Sequence, residues 1–422
     1  MFYLSMAKGN ILLLSKDILK CDYLSCYGGK KWKTKNIDEL AKKGTIFKNH
    51  YTVAPSSAMS YTGMFSGLNP HELERKRFTE VEPFDQCPTL FDELSKKGYE
   101  CHVLWDKRWS GNVFRLSRVY GDNTNIHNVT IDQPVGPHYF KSGKIKPKKG
   151  VDPVGEIIAE VREIFENQES DIFLWIHCPH VLEGRTGYGS DIDLLDQLIG
   201  ELRNFFSDDE IFITSDHGHM DLKKGIPVYG FHVYEPAIKI PLITPNFLDK
   251  DEVLNLTSNV QIKNMILNEK IEFRDFIYSD TQYYLQENRK LMVRKDDFKY
   301  IYNKIDNTEE LYDLKYDPNE DVNLLIDHIP DKNRGKNYYL DEVHYYPRWR
   351  EAEKYYRLLK NEKDRVWREG TWFQEIIYNK SRVVYENLFK RKFNFILKYF
   401  GRKKSKKEGR WTSKPKIRKY KT

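Results

Sequence analysis

Three short stretches of this chain carry side chains that could hold a cation and activate a hydroxyl. Asp216-His217-Gly218 sets a carboxylate beside an imidazole, natural ligands for a divalent cation, ahead of a glycine that lets the backbone turn tightly. Asp17 follows the apolar run at residues 10–15 (NILLLS), and Ser57 lies within residues 54–60 (APSSAMS), ahead of a predicted helix that runs to Gly67. A serine at a helix start sits among free backbone N–H groups at the positive end of the helix dipole, which favours an alkoxide and an anionic ester alike. A cation held by Asp17, Asp216 and His217 would lower the pKa of the Ser57 hydroxyl further. Each stretch alone also has a plainer reading. Asp216 and His217 could form a solvated turn, and Asp17, Ser56 or Ser57 could cap a helix.

The elements around these residues decide between the readings. Residues 10–15 (NILLLS), 172–177 (IFLWIH) and 210–215 (EIFITS) are continuous apolar runs, the pattern of strands covered on both faces. Residues 89–97, 154–167 and 191–204 carry helical periodicity between them. Alternating strands and helices predict an α/β fold, a central, mostly parallel sheet with helices on both faces. Asp17, His177, His180, Asp216 and His217 all follow directly on predicted strands, and open α/β sheets bind ligands at the carboxyl ends of their strands. After about residue 285, LMVRKDDFKYIYN and EELYDL read as short antiparallel strands, and from about residue 340 the spacing turns helical. The expected division is therefore a catalytic domain over 1–285, a small antiparallel subdomain over 286–335 and a helical, basic extension over 336–422.

At 422 residues, with ordinary apolar and high aromatic content, the chain can bury a large core. Its five cysteines are odd in number and scattered without C-x-x-C spacing, which argues against a disulfide framework or a zinc-thiolate site. The first residues hold only a short apolar run without a small-residue cleavage site, and no stretch approaches the roughly 18 apolar residues of a membrane span. A cytoplasmic protein is expected. The net charge of +7 hides an asymmetry: residues 388–422 carry +14 and the first 387 residues −7. Phe389, Phe393, Ile396, Leu397 and Phe400 fall on one helical face, with Lys390, Arg391, Lys392 and Lys398 around it. This pattern fits a helix lying on the anionic inner face of a membrane, or else one packed on the body; no aromatic platform or DNA-binding motif favours nucleic acid. Binding of the full chain to anionic vesicles is expected to be strong at low salt and to fall steeply as salt rises. Deleting residues 388–422 should abolish it, and vesicle binding by the truncated protein would give the tail another role.

The order and context of the motifs resemble the sulfatase family of the alkaline phosphatase superfamily. NILLLSKDILKCDYLSCYGG, followed by NIDELAKKGTIFKNHYTVAPSSAMSYTGMFSGLNPHE, is similar to that family's opening. TLFDELSKKGYECHVL, IFITSDHGHM, YEPAIKIPLI and the segment from RKLMVRKDDFKYIYN to DVNLL resemble its later segments, so that the likeness runs from residue 10 to about 325. It implies metal ligands at Asp17, Asp216 and His217, with Ser57 beside the ion as nucleophile. It implies one divalent cation, Mn, Mg, Zn or Ca. The family's second carboxylate after Asp17 is Ile18 here, which favours a transition-metal or Mg-type ion over an oxygen-rich calcium site. The formylglycine motif C/S-x-P-x-R reads Ser57-Ala58-Met59-Ser60-Tyr61, without Pro or Arg. Ser57 is therefore expected to stay serine and to form a covalent intermediate with a phosphate ester, less readily a sulfate ester. The resemblance gives His180 and His232 catalytic roles and Lys107, His177 and Arg185 contacts to the anionic substrate, while His50, His71 and His219 read most simply as structural. By analogy the substrate is a carbohydrate, a surface polysaccharide or its lipid-linked precursor, processed by hydrolysis or transfer. A true sulfatase is one alternative; a non-catalytic membrane scaffold that kept the fold is another.

Overall fold

The computed structural model describes residues 9–73, 87–106, 120, 124–129, 152–178, 189–226, 229–246, 251–267, 273–281, 289–304, 307–325 and 348–369. The basic tail, His180, Arg185 and Lys107 lie outside the described residues.

The central sheet has eight strands. In chain order they are β1 (Ile11–Lys16), β2 (Thr45–Phe47), β4 (Glu100–Asp106), β5 (Thr124–Val129), β6 (Ile172–Cys178), β7 (Ile211–Ser215), β8 (Leu242–Thr244) and β9 (Glu252–Val253). A two-residue strand, β3 (His50–Tyr51), pairs outside this sheet with β10 (Thr257–Ser258). Across the sheet the order is β5-β4-β6-β1-β7-β8-β2-β9, parallel apart from the two pairings of β8. The first strand thus lies at the centre, with Leu14 opposite Ile176 of β6 and Ile213 of β7. Antiparallel β8 fits the rule that large sheets often carry one reversed strand near an edge.

Side chains alternate across β1, so its unbroken apolar run feeds two cores. Leu12 and Leu14 join Leu174, Ile176 and Ile213 on one face, under α1 (Lys35–Lys43) and two longer helices, α4 (Pro153–Glu166) and α5 (Gly189–Leu202). Ile11 and Leu13 join Phe173, Trp175 and Phe212 on the other, under α2 (Ser57–Ser66) and α3 (Leu90–Lys96). The aromatic side of this second core is tightly keyed: Trp175 meets Phe65 at 4.7 Å and Tyr61 at 4.8 Å between ring centroids. It fixes the rotation of α2, and with it the direction in which Ser57 points.

Two more helices, α6 (Glu235–Ile238) and α7 (Ile262–Ile266), precede a four-stranded antiparallel sheet. This sheet comprises β11 (Ile277–Asp280), β12 (Lys290–Lys295), β13 (Phe298–Asn303) and β14 (Thr308–Asp313). It opens at Ile277, ahead of residue 286 where the sequence places the subdomain's start. One face buries Ile277, Met292 and Ile301 against Tyr51, Val233 and Ile238 of the catalytic region. The other is covered by α8 (Trp349–Glu369), which contributes Ala352, Leu359 and Val366. No helix among the described residues is long and apolar enough to cross a membrane.

Candidate active site

β1 and β7 are neighbours and run parallel, so the turns that follow them emerge side by side. Asp17 leaves the first turn and Asp216-His217 the second. One potential ligand atom from each of Asp17, Asp216 and His217 lies within 4.8 Å of the others, and all three side chains are buried. His217 Nε2 stands 3.7 Å from Asp17 Oδ1 and 3.6 Å from Asp216 Oδ2.

The backbone is arranged to produce this convergence. Asp216 Oδ1 accepts from the amides of His217 (2.8 Å) and Ile18 (3.3 Å), which leaves Oδ2 directed elsewhere. Ile18 takes a left-handed φ of 56°, uncommon for a β-branched residue. Its amide thereby reaches across to the second turn. The Ser215 hydroxyl sits between the carbonyls of Lys16 (2.7 Å) and His217 (2.8 Å) and accepts from the Leu19 amide (3.0 Å). Gly218 has no freedom to be anything larger, since a Cβ there would collide with the Pro236 carbonyl oxygen.

Ser57 is the first residue of α2. Neither Ser56 nor Ser57 caps the helix through its side chain, which removes the plainer reading of this segment. The Ser57 hydroxyl instead lies 3.2 Å from His217 Nε2. Another hydroxyl of α2, that of Ser60, donates to the Asp216 carbonyl (2.6 Å) and so locks the helix to the metal-type turn.

The chemistry of the donors fits a divalent cation. Asp17 Oδ1 and Asp216 Oδ2 are buried and have no hydrogen-bond partner. An unsatisfied buried carboxylate oxygen is costly, and two facing the same point are costlier still unless a cation sits between them. His217 Nδ1 lies 3.0 Å from the Gly218 carbonyl. Donation there puts the proton on Nδ1 and frees the Nε2 lone pair, the arrangement metal-ligating histidines adopt.

His177, at the end of β6, is buried. Burial, partly opposed by Asp17, lowers its pKa to about 4, so the ring is neutral at pH 7. The Trp175 indole N–H donates to the Ser15 hydroxyl (2.8 Å), Ser15 lies 3.0 Å from the Tyr61 hydroxyl, and Tyr61 lies 2.6 Å from His177 Nδ1. Run in that direction, the chain of donors leaves the His177 proton on Nε2. The His232 ring stacks on Tyr234 at 5.5 Å, and burial, aided by the Lys290 charge, lowers its pKa to about 3.

Two participants escape a reading of the sequence. The Tyr229 ring lies 4.4 Å from that of His217, and its hydroxyl pKa is raised by burial and by Asp17 and Asp216. Flanked by Val228 and Gly230, Tyr229 carries no motif that would have marked it. Tyr61 could have been noticed, since it stands where the resembled motif has arginine.

The strand order and this cluster define an α/β protein with a carboxylate–imidazole cluster at the carboxyl edge of its sheet. The family profile described as Sulfatase matches residues 9–210. The chain is 22% identical to an arylsulfatase of Clostridium perfringens over 436 aligned positions, covering 75% of this chain and 90% of the relative. It superposes on a protein solved with its substrate D-glucosamine-2-N,6-O-disulfate, with a TM-score of 0.60 and 17% identity, covering 85% of this chain and 98% of the other. It also superposes on a phosphonate monoester hydrolase of Agrobacterium radiobacter, with a TM-score of 0.58 and 15% identity, covering 82% and 96%. Residues 9–210 of the chain thus carry a sulfatase-type domain.

Proposed function

We propose that the protein is a metal-dependent hydrolase of a phosphate ester, with Ser57 as the nucleophile. The observation that carries this is the placement of the Ser57 hydroxyl against His217 in a segment lacking the Pro and Arg of the formylglycine motif. Asp17, Asp216 and His217 would hold the ion. When bound there, a divalent cation supplies a lowered hydroxyl pKa and charge neutralisation at the ester. With two carboxylates and one imidazole the donor set suits Mn, Mg or Zn more than calcium.

Ser57 Oγ attacks phosphorus, the bond from phosphorus to the ester oxygen breaks, and the departing alkoxide takes up a proton. Water, or an acceptor hydroxyl in a transferase, then opens the seryl ester and restores Ser57. The positive end of α2 faces the developing charge, which favours the transition state over the ground state. A neutral His177, with its remaining proton on Nε2, can donate a hydrogen bond to an anionic oxygen. His180 and His232 remain proposed catalytic groups, and Lys107 and Arg185 proposed contacts to the anionic substrate. The substrate class we favour is a phosphorylated carbohydrate or its lipid-linked precursor, reached from the inner face of a membrane through the basic tail.

Sulfate-ester hydrolysis is the second reading, favoured by the family profile and by the arylsulfatase relative. Peptide mass spectrometry separates the two at their root. Residue 57 is expected to be intact serine; formylglycine at this position would overturn the phosphate reading and leave the sulfatase one. Parallel assays with phosphate and sulfate monoesters and diesters, over Mn, Mg, Zn and Ca, should give the higher kcat/KM with a phosphate ester.

A further inference from the structure

The loop that follows the Asp216-His217 turn is strained. Asp221, Leu222 and Lys224 all adopt left-handed φ values, of 48°, 65° and 54°, and Gly225 follows at 73°. Such conformations in non-glycine residues cost on the order of 1–3 kcal/mol each and persist only where the surroundings over-determine them. Leu222 contributes nothing to that end, being 60% exposed. The loop closes on itself through amide bonds from Lys223 to Met220 (2.8 Å) and from Leu222 to Ile226 (2.9 Å), and Lys224 donates to the Glu320 carbonyl and lies over the Tyr234 ring, but none of these fixes it to the turn after Asp17.

Asp221 does. Lys20 approaches its Oδ2 to 2.5 Å, and the Tyr23 hydroxyl donates to the same oxygen across 2.6 Å. His219 Nδ1 lies 2.6 Å from Oδ1. Lys20 and Tyr23 follow Asp17 in sequence; His219 and Asp221 follow His217. One carboxylate therefore ties together the two turns that present the metal-type ligands. Lys20 is buried, and its ammonium also lies 4.5 Å from the Tyr23 ring centroid, so the cation is held in place rather than sampling solvent. Burial works to raise the Asp221 pKa, and the bonds from His219 and Lys20 more than offset it, holding the carboxyl well below its usual range.

We propose that Asp221 is a positioning residue for the metal site: through Lys20, Tyr23 and His219 it holds the Asp17 turn and the His217 turn at the spacing the ion requires. The inference rests on the metal reading given above.

The test is calorimetric titration of the full chain, freed of metal, with Mn2+ alone. Wild type should bind one ion, and Asp17→Asn should lose that binding. Asp221→Asn should weaken it by about 10- to 100-fold, the range for groups that orient metal ligands, while the melting temperature of the metal-free protein stays near that of wild type. Lys20→Met should do the same, and the double variant Lys20→Met/Asp221→Asn should be little worse than either, because both act through one contact. Tyr23→Phe removes a single donor and should weaken binding about threefold even if Asp221→Asn fails to fold. A wild-type Mn2+ affinity in Asp221→Asn or, where that variant does not fold, in Tyr23→Phe overturns the inference and leaves the metal site standing. Absence of Mn2+ binding by wild type, or equal binding by Asp17→Asn, overturns the metal reading and the inference with it.

Discussion

Replacing Ser57 by alanine is expected to lower kcat by at least about 1,000-fold on any ester the enzyme turns over, with metal affinity changed by no more than a few-fold. The two expectations belong together. The Ser57 hydroxyl meets the His217 ring at Nε2, across 3.2 Å. Removing it deletes the attacking atom, but Asp17, Asp216 and His217 keep their positions because Ser60, Ser215 and the Ile18 amide hold them. The backbone of α2 is also unchanged, since the Ser57 side chain caps nothing. The residual rate would report what the ion and the helix dipole do for a water nucleophile. Rapid-quench kinetics should show a burst in wild type and none in Ser57→Ala. A variant that keeps a tenth of the wild-type rate would mean that water attacks directly, and Ser57 would then be a minor ligand. A chain without turnover in either form, but with vesicle binding intact, would instead be a scaffold.

How far the sequence reaches can be seen at particular residues. The strands that carry Asp17 and Asp216 were legible because both faces are covered, which makes their apolar runs unbroken. The helices were legible from their periodicity, and α4 and α5 pack on β1 and β6 as that periodicity requires. The pairing of Asp17 with Asp216-His217 followed from strand ends meeting at one edge. What stayed hidden depends on contacts between segments far apart in the chain. Tyr229 reaches His217 only through the path of a loop, and a tyrosine beside a glycine reads as a turn. The left-handed Ile18 is invisible because its conformation is dictated by Asp216, 198 residues away. Asp221 looked like any turn aspartate, since nothing local announces that Lys20 and Tyr23 lie above it. The antiparallel sheet opens at Ile277, ahead of residue 286, for a related reason: β11 is only four residues long and gains its strand character by pairing with β12.

Stripping divalent metal should destabilise the protein, and neutralising either carboxylate should remove that dependence. In the metal-free state Asp17 Oδ1 and Asp216 Oδ2 remain buried, unpartnered and close to one another. Their mutual repulsion and lost hydration then oppose folding, with His217 as the nearest titratable side chain. A cation binds the folded state and not the unfolded one, so it adds about 4 kcal/mol when present at about 1,000 times its Kd. Wild type should thus melt several degrees higher with Mn2+ than with EDTA. Asp17→Asn and Asp216→Asn each remove one of the opposed charges while keeping the shape. Their metal-free forms are expected to melt at or above the metal-free wild type, yet to gain almost nothing from Mn2+. His217→Ala should also lose the Mn2+ response, but without the compensating rise, because it leaves both carboxylates in place and opens a cavity under Tyr229. This crossing of the melting temperatures, lower with metal and equal or higher without it, is what an ion site produces and an ordinary buried ion pair does not. Variants whose melting temperatures fall equally in Mn2+ and in EDTA would show that the three side chains are structural, and the ion would have to be sought elsewhere.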